Sequence, residues 1–593
     1  MTGTTDLELL RRFEPVIRYT AGELFLPMLA DDYVARAGLY AAGRERRDRT
    51  LVAEPGTLTV DRLAELGRSH DGEKLFLQYV EAPLSRSEYR AWRQDPARPQ
   101  FRASSRFASV GLLSRLIDTT MRLTLLLRGR VPGGYAGAAH RQVGAQATYA
   151  YYGHVTRDAG YVVLQYWYLY AMNDWRSTFG GVNDHEADWE QVTIFLVDHG
   201  ADAEPEAAWV AFSSHDEVGD DLRRRWDDPD ITYVDGTHPV VYAGAGSHSG
   251  AYLPGEYVIG VGLPLPGPIE RLRSSIMRIL PWGDGDNAAI GIPYIDYRRG
   301  DGVAIGPGQE RGWTPVLVTD ETDWVRDYRG LWGLDTHDPL GGERAPAGPR
   351  YDRDGSVRWS WRQPVAWSGL DKEPARPEAA VEDLHALRAS LQSRRDALAP
   401  EIDQARQQLR GARAADRLDG RDPRHASRGT AALDEQVAAL RAQDAELAEQ
   451  LEAVDRAASR PPVDEPVHAH LKHRATPLEH ADKGGLRQRL LRIWAAASAS
   501  ILLGAAGVLM LFGDVNLVRA LLLLVLVSIA IEAALRGRFV QLLVNLGLAV
   551  LILLAAAAVV DVVIGNFRQG VGVLLLLAAL YMGWQTFREG ART

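Results

Sequence analysis

The C-terminal end constrains this chain most. Four apolar stretches follow one another there, roughly Leu491–Phe512, Val515–Leu535, Phe539–Val560 and Val571–Phe587. A bilayer core takes about 20 apolar residues per helix. One such run fits a buried helix of a soluble protein. Four in series, joined by short links, predict a four-helix transmembrane bundle over residues 491–593. Lys483, Arg487, Arg489 and Arg492 precede the first stretch, Arg536 and Arg538 separate the second from the third, and Arg588 and Arg592 follow the fourth. The other side carries only Arg519 and Arg568. The positive-inside rule therefore predicts an integral, multi-pass membrane protein with N- and C-termini cytoplasmic. Residues 1–18 agree, being charged and without the apolar core of a signal peptide. Glu532 and Asp561 are expected near helix ends, where they reach the interface, with only Asn545 deeper. Ser500, Gly504 and Gly507 suit helix packing. This pattern favours an anchor over a transport path.

The rest of the chain is a different kind of sequence. With 593 residues in all, it is too long for a single core. Its formal net charge of −10 argues against a nucleic-acid partner, which usually meets a basic face. The absence of cysteine fits a reducing compartment. Residues 376–460 turn to Ala, Leu, Glu, Gln and Arg. Leu433, Val437, Leu440, Asp444, Leu447, Leu451 and Val454 form a heptad seam with one polar member. Leu384, Leu387, Leu391 and Leu398 start a second seam, which shifts at Pro400 and resumes with Ile402, Ala405 and Leu409. The expectation is a coiled-coil helical hairpin folded on itself. Pairing between chains, hence a homo-oligomer, is the alternative. Residues 461–490 read as a linker, whose His468, His470, His473 and His480 either bind metal or are simply solvated.

Residues 1–375 read as β-rich. Tyr161–Tyr170, Trp189–Val197, Ala208–Phe212 and Pro239–Ala243 are aromatic and β-branched, as strands require. Two predicted helices, Ala108–Leu127 and Ile269–Leu280, alternate apolar residues with Arg and suit a membrane surface or the core. One stretch carries chemistry: Asp184-His185-Glu186-Ala187-Asp188-Trp189-Glu190. On a strand, Asp188 and Glu190 share a face while Trp189 enters the core. His185 reaches the same point from the preceding loop. Carboxylates with one imidazole suit a hard or borderline divalent cation, Mg²⁺, Ca²⁺ or Mn²⁺, better than zinc. The plainer account is that these carboxylates pair with arginines and cap a loop.

The run LQYWYLYAMNDWRSTFGGVNDHEADWEQVTIFL, followed by VAFSSHDE and HPVVYAGAGSHSGAY, resembles the vacuolar protein sorting protein 62–related family. FEPVIRYTAGELFLP, IDYRRGDG, LWGLDTHDPLGGERAPAGP and SWRQPVAWSGL extend the resemblance over most of residues 13–370. DHEADWE is also remotely similar to the GHRHDWE signature of necrosis-inducing proteins, whose β-sandwich holds a divalent cation. That resemblance implies a β-sandwich-like domain with His185, Asp188 and Glu190 as metal ligands and Asp174 as the fourth. Ala187 and Asp184 depart from the signature. Membrane-disrupting toxicity is not implied, since this chain shows no secretion signal or disulfide.

Asp184, Glu186, His215 and His248 are candidate cleft-lining residues, and Asp216, Glu217 and His238 are further candidates for the same cleft. Ser247-His248-Ser249 invites a nucleophile, but its GAGSHSG setting lacks a GxSxG register and reads as a Gly-rich turn. Neither a phosphate-binding nor a dinucleotide-binding glycine loop occurs. The leading expectation is a cytoplasm-facing binding or sorting module at the membrane, engaging lipids and a polar ligand such as a lipid headgroup or glycan. The alternatives are a metal-dependent hydrolase, with Glu186 or His215 as general base, and a channel or transporter gated by the soluble domain.

Overall fold

The structure is a computed structural model. It describes residues 5–42, 49–95, 106–116, 119, 134–174, 184–200, 203–213, 222–262, 275, 279, 289–334, 345–375, 377–420, 427–460, 466–471, 477–478, 485–512 and 516–565. The fourth predicted apolar stretch, the candidate residue His215 and most of the predicted Ile269–Leu280 helix lie outside these.

The N-terminal region is built on a six-stranded sheet. At its centre two strands of 13 residues, Tyr161–Asn173 and His185–Val197, pair antiparallel from Tyr161 opposite Val197 to Asn173 opposite His185. Both are buried along their whole length, which explains why they read as near-continuous apolar and aromatic runs. Ala150–Asp158 and Glu206–Phe212 flank them antiparallel, and Thr314–Leu317 adds a parallel edge. One face presents Trp167 and Trp189. Trp189 lies with Tyr152, Trp324 and Trp332, while Trp361 stacks on His154 of the same face. The opposite face presents Tyr166, Tyr168 and Tyr170, which meet Leu10, Trp313 and Tyr19. A smaller five-stranded sheet sets Val16–Arg18 parallel to His238–Ala243.

The helical region forms two long helices, Pro377–Leu418 and Arg428–Ala458. They pack antiparallel, since Arg388 meets Asp455 at 2.7 Å while Arg395 meets Asp444 at 2.8 Å. Leu391, Leu398, Ile402, Leu447, Leu451 and Val454 are buried between them. The polar seam member, Asp444, is thus the partner of Arg395. The first helix continues through Pro400. That proline is exposed, so its ring and its missing N–H fall on the solvent side, where the helix is free to adjust.

Three further helices are long and apolar enough to cross a membrane: Leu486–Leu511, Leu517–Arg536 and Phe539–Ala557. The first starts at Leu486 rather than at the expected Leu491 because Leu, Arg and Gln there are good helix formers. Gly537, at φ 73°, closes the second and turns the chain into the third. Leu522, Leu523, Val540, Val544, Leu551 and Leu553 face outward. So much exposed apolar surface suits lipid, not water.

Glu532, one turn from the end of the second helix, is 0% exposed and paired with Arg115 and, at 2.8 Å, with Arg536. Its apolar helix surroundings make pairing obligatory. The predicted Ala108–Leu127 helix begins as Arg106–Ser109, breaks at 110–111 and resumes over 112–116. At that break the guanidiniums of Arg115 and Arg536 donate to the carbonyls of Phe107, Val110 and Ala108. The segment is thereby fixed to the end of the second apolar helix.

Candidate functional site

Asp184 to Glu190 enters the central sheet as its most polar stretch, and every residue of it is buried. His185 is the first residue of its strand, not part of the preceding loop. Its Nδ1 donates to the Ala187 carbonyl at 2.7 Å, which fixes the orientation of the ring. Asp174 and Asp184 flank the ends of the two long strands and are likewise buried.

Regular alternation would put Glu186, Asp188 and Glu190 on one face. It fails at Ala187, whose φ of 55° lies in the left-handed region and costs about 1–2 kcal/mol. Asp188 and Glu190 sit opposite Tyr170 and Tyr168, on the tyrosine face. Glu186 turns the other way, toward Gly333 and Leu334, which follow Trp332 on the tryptophan face. There its carboxylate accepts three backbone N–H groups, from Tyr79 at 3.0 Å, Val80 at 2.8 Å and Leu334 at 3.1 Å. Burial pushes its pKa up to about 7, while these hydrogen bonds pull the other way. Glu186 therefore does not line a cleft with Asp188. It pins two distant loops to the sheet.

Glutamine at position 186 would turn an NH₂ group against those N–H donors. Glu186→Gln is expected to cost about 1–3 kcal/mol, seen as a lower melting temperature of the full chain in detergent.

Asp188 meets the candidate His248 instead. His248 Nδ1 donates to Asp188 Oδ2 at 2.7 Å, and Asn173 Nδ2 donates to the same oxygen at 3.3 Å. On its other side His248 Nε2 lies 3.6 Å from Glu23. The imidazole stacks flat on Tyr170, with ring centres 3.7 Å apart. Burial alone would lower the pKa of His248. The hydrogen bonds and charges of Asp188 and Glu23 prevail and raise it to about 9. The ring lies buried between two carboxylates that favour its charged form.

The turn that delivers it is equally tied down. His248 has φ 53°, and Gly246 donates its N–H to Glu23. Ser247 and Ser249 donate to the two oxygens of Asp296, each at 2.9 Å. Both hydroxyls are thus spent on a buried carboxylate that Arg298 also holds at 2.7 Å, an arrangement that ties down a Gly-rich turn.

Comparison of the chain with protein-family models, curated proteins and solved structures finds no match. The site therefore has to be read from its own geometry.

Among the described residues, one group of three His, Asp or Glu side chains brings its ligand atoms within 4.8 Å of one another, and it is Asp228, Asp230 and His468. This group can hold a metal ion. The expected ligands Asp174, His185, Asp188 and Glu190 are all buried on or beside the two long central strands. His468 Nε2 lies 2.9 and 3.0 Å from the two oxygens of Asp228 and 3.7 Å from Asp230. The sequence does single out His468, yet nothing local connects it to an Asp-Asp-Pro-Asp loop some 240 positions earlier.

Proposed function

We propose that this chain is a membrane-anchored, non-catalytic binding module with a divalent cation as a structural cofactor. The commitment of Glu186 and Asp188 to internal bonds carries this reading. A general base needs a pKa near the working pH and access to its substrate. Glu186 has the first but is fully buried and held by three N–H donors. His248 has neither, being protonated at neutral pH and 2% exposed. The three apolar helices support anchoring, and the charge bias of the sequence supports a domain on the cytoplasmic side.

In this reading a β-sandwich-like domain binds a polar ligand, a lipid headgroup or glycan, at the membrane surface. A coiled-coil hairpin spaces it and four apolar helices hold it. The resemblance to the vacuolar sorting family points the same way. Mg²⁺ or Ca²⁺ is the cation that two carboxylates and one imidazole suit best, with Mn²⁺ and Zn²⁺ as competitors.

The test is an assay of the full chain, reconstituted in vesicles, against ester and phosphoester substrates. The expected result is no turnover above that of protein-free vesicles. Turnover abolished by Glu186→Gln or His248→Gln, in variants that still melt cooperatively, would establish a hydrolase instead.

A further inference from the structure

We infer that Asp228, Asp230 and His468 bind a divalent cation that staples the pre-membrane linker to the β-rich domain. This rests on the cation part of the function proposed above and assigns it a place and a consequence. The three side chains come from two segments. Asp228 and Asp230 lie in the loop after the edge strand Arg223–Arg225, and His468 lies between the helical pair and the first apolar helix.

The three side chains already meet: His468 Nε2 donates to the Asp228 carboxylate at 2.9 Å, a proton that a bound cation would replace. Asp228 is fully buried and oriented, accepting the Asp230 backbone N–H at 2.9 Å on one oxygen, with Arg224 3.6 Å from the other. Asp230 and His468 are part-exposed, with side chains 14% and 31% accessible. An ion therefore has a route in and room to keep water ligands, as Mg²⁺ and Ca²⁺ require. Charge also fits. Two carboxylates against one guanidinium leave a net negative site when the imidazole is neutral, and a neutral imidazole is the form that ligates.

The linker touches the domain again after His468. His470 donates from Nε2 to the Arg223 carbonyl at 3.0 Å and sits edge-on to Trp209, 5.2 Å between ring centres. Further on, Leu478 donates its N–H to the Glu256 carbonyl at 2.7 Å. These contacts are weak one by one. A cation bridging Asp228 and His468 would couple them, so that its release frees the tether between the domain and the membrane helices.

The experiment uses the full chain in detergent, stripped with EDTA and titrated separately with Mg²⁺, Ca²⁺, Mn²⁺ and Zn²⁺. Metal content per chain and the rate of tryptic cleavage after Lys472 and Arg474 are read together. Wild type should bind a single equivalent that slows cleavage. His468→Gln, which leaves the domain core untouched, should weaken binding by roughly tenfold or more and abolish the protection. Asp230→Asn should do the same.

Absence of any bound cation, or equal binding by His468→Gln, overturns the site. Binding that depends on His468 yet leaves cleavage unchanged overturns the staple while the cation stands. None of these results depends on turnover, so they separate from the test of the non-catalytic reading.

Discussion

Glu532→Leu is expected to destabilise the full chain by about 3–5 kcal/mol, because it strands a buried arginine. Arg115 is 1% exposed, and among the described residues its other hydrogen-bond acceptors are the neutral carbonyls of Phe107 and Val110. Arg536 loses its carboxylate at the same stroke. Removing Arg115 alone should cost less, since Arg536 still neutralises Glu532. Adding Arg115→Met to Glu532→Leu should then recover most of the loss, as apolar replacement of a buried ion pair is often close to neutral. Thermal melts of the four proteins in one detergent give the cycle. A Glu532→Leu protein as stable as wild type would mean that segment 106–116 does not rest on the apolar helices through this pair.

His248→Gln should have the second largest effect, and it should depend on pH. A folded pKa of about 9 lies above the ordinary histidine value of about 6.5. The charged ring therefore contributes stability that is fully present below pH 6.5 and is lost as pH rises through 9. The shift corresponds to about 3 kcal/mol. Glu186, raised to about 7 from 4.5, gives a second decline at lower pH, largely complete by neutrality. The alkaline limb thus reports His248. Wild-type melting temperature should fall across it, and the His248→Gln profile should start lower and stay flat there.

Much of the scaffold was legible because its signals are local. Tyr161–Asn173 and His185–Val197 announce themselves by aromatic and β-branched runs, and the apolar helices by length. The seam residues Leu391, Leu398, Leu447 and Leu451 were readable from their spacing and are buried between the two helices. What escaped is conformational or long-range. Nothing in DHEADWE says that Ala187 takes φ 55° and sends Glu186 to the opposite face. Nor does periodicity say which distant partner a charge will find. Arg115 and Glu532 are 417 positions apart, and Asp188 and His248 are 60 apart. In the acidic motif, Glu186 and Asp188 find distant partners that make them part of a web of supports.

That web is the central claim, and the ionisation of one ring decides it. Solid-state ¹⁵N NMR of histidine-labelled full chain in lipid, differenced against His248→Gln, isolates the His248 signal. At pH 8 the account predicts an imidazolium, with both ring nitrogens protonated between Asp188 and Glu23. A neutral ring at pH 8 that titrates near the ordinary histidine value would contradict it and return His248 to the list of available bases.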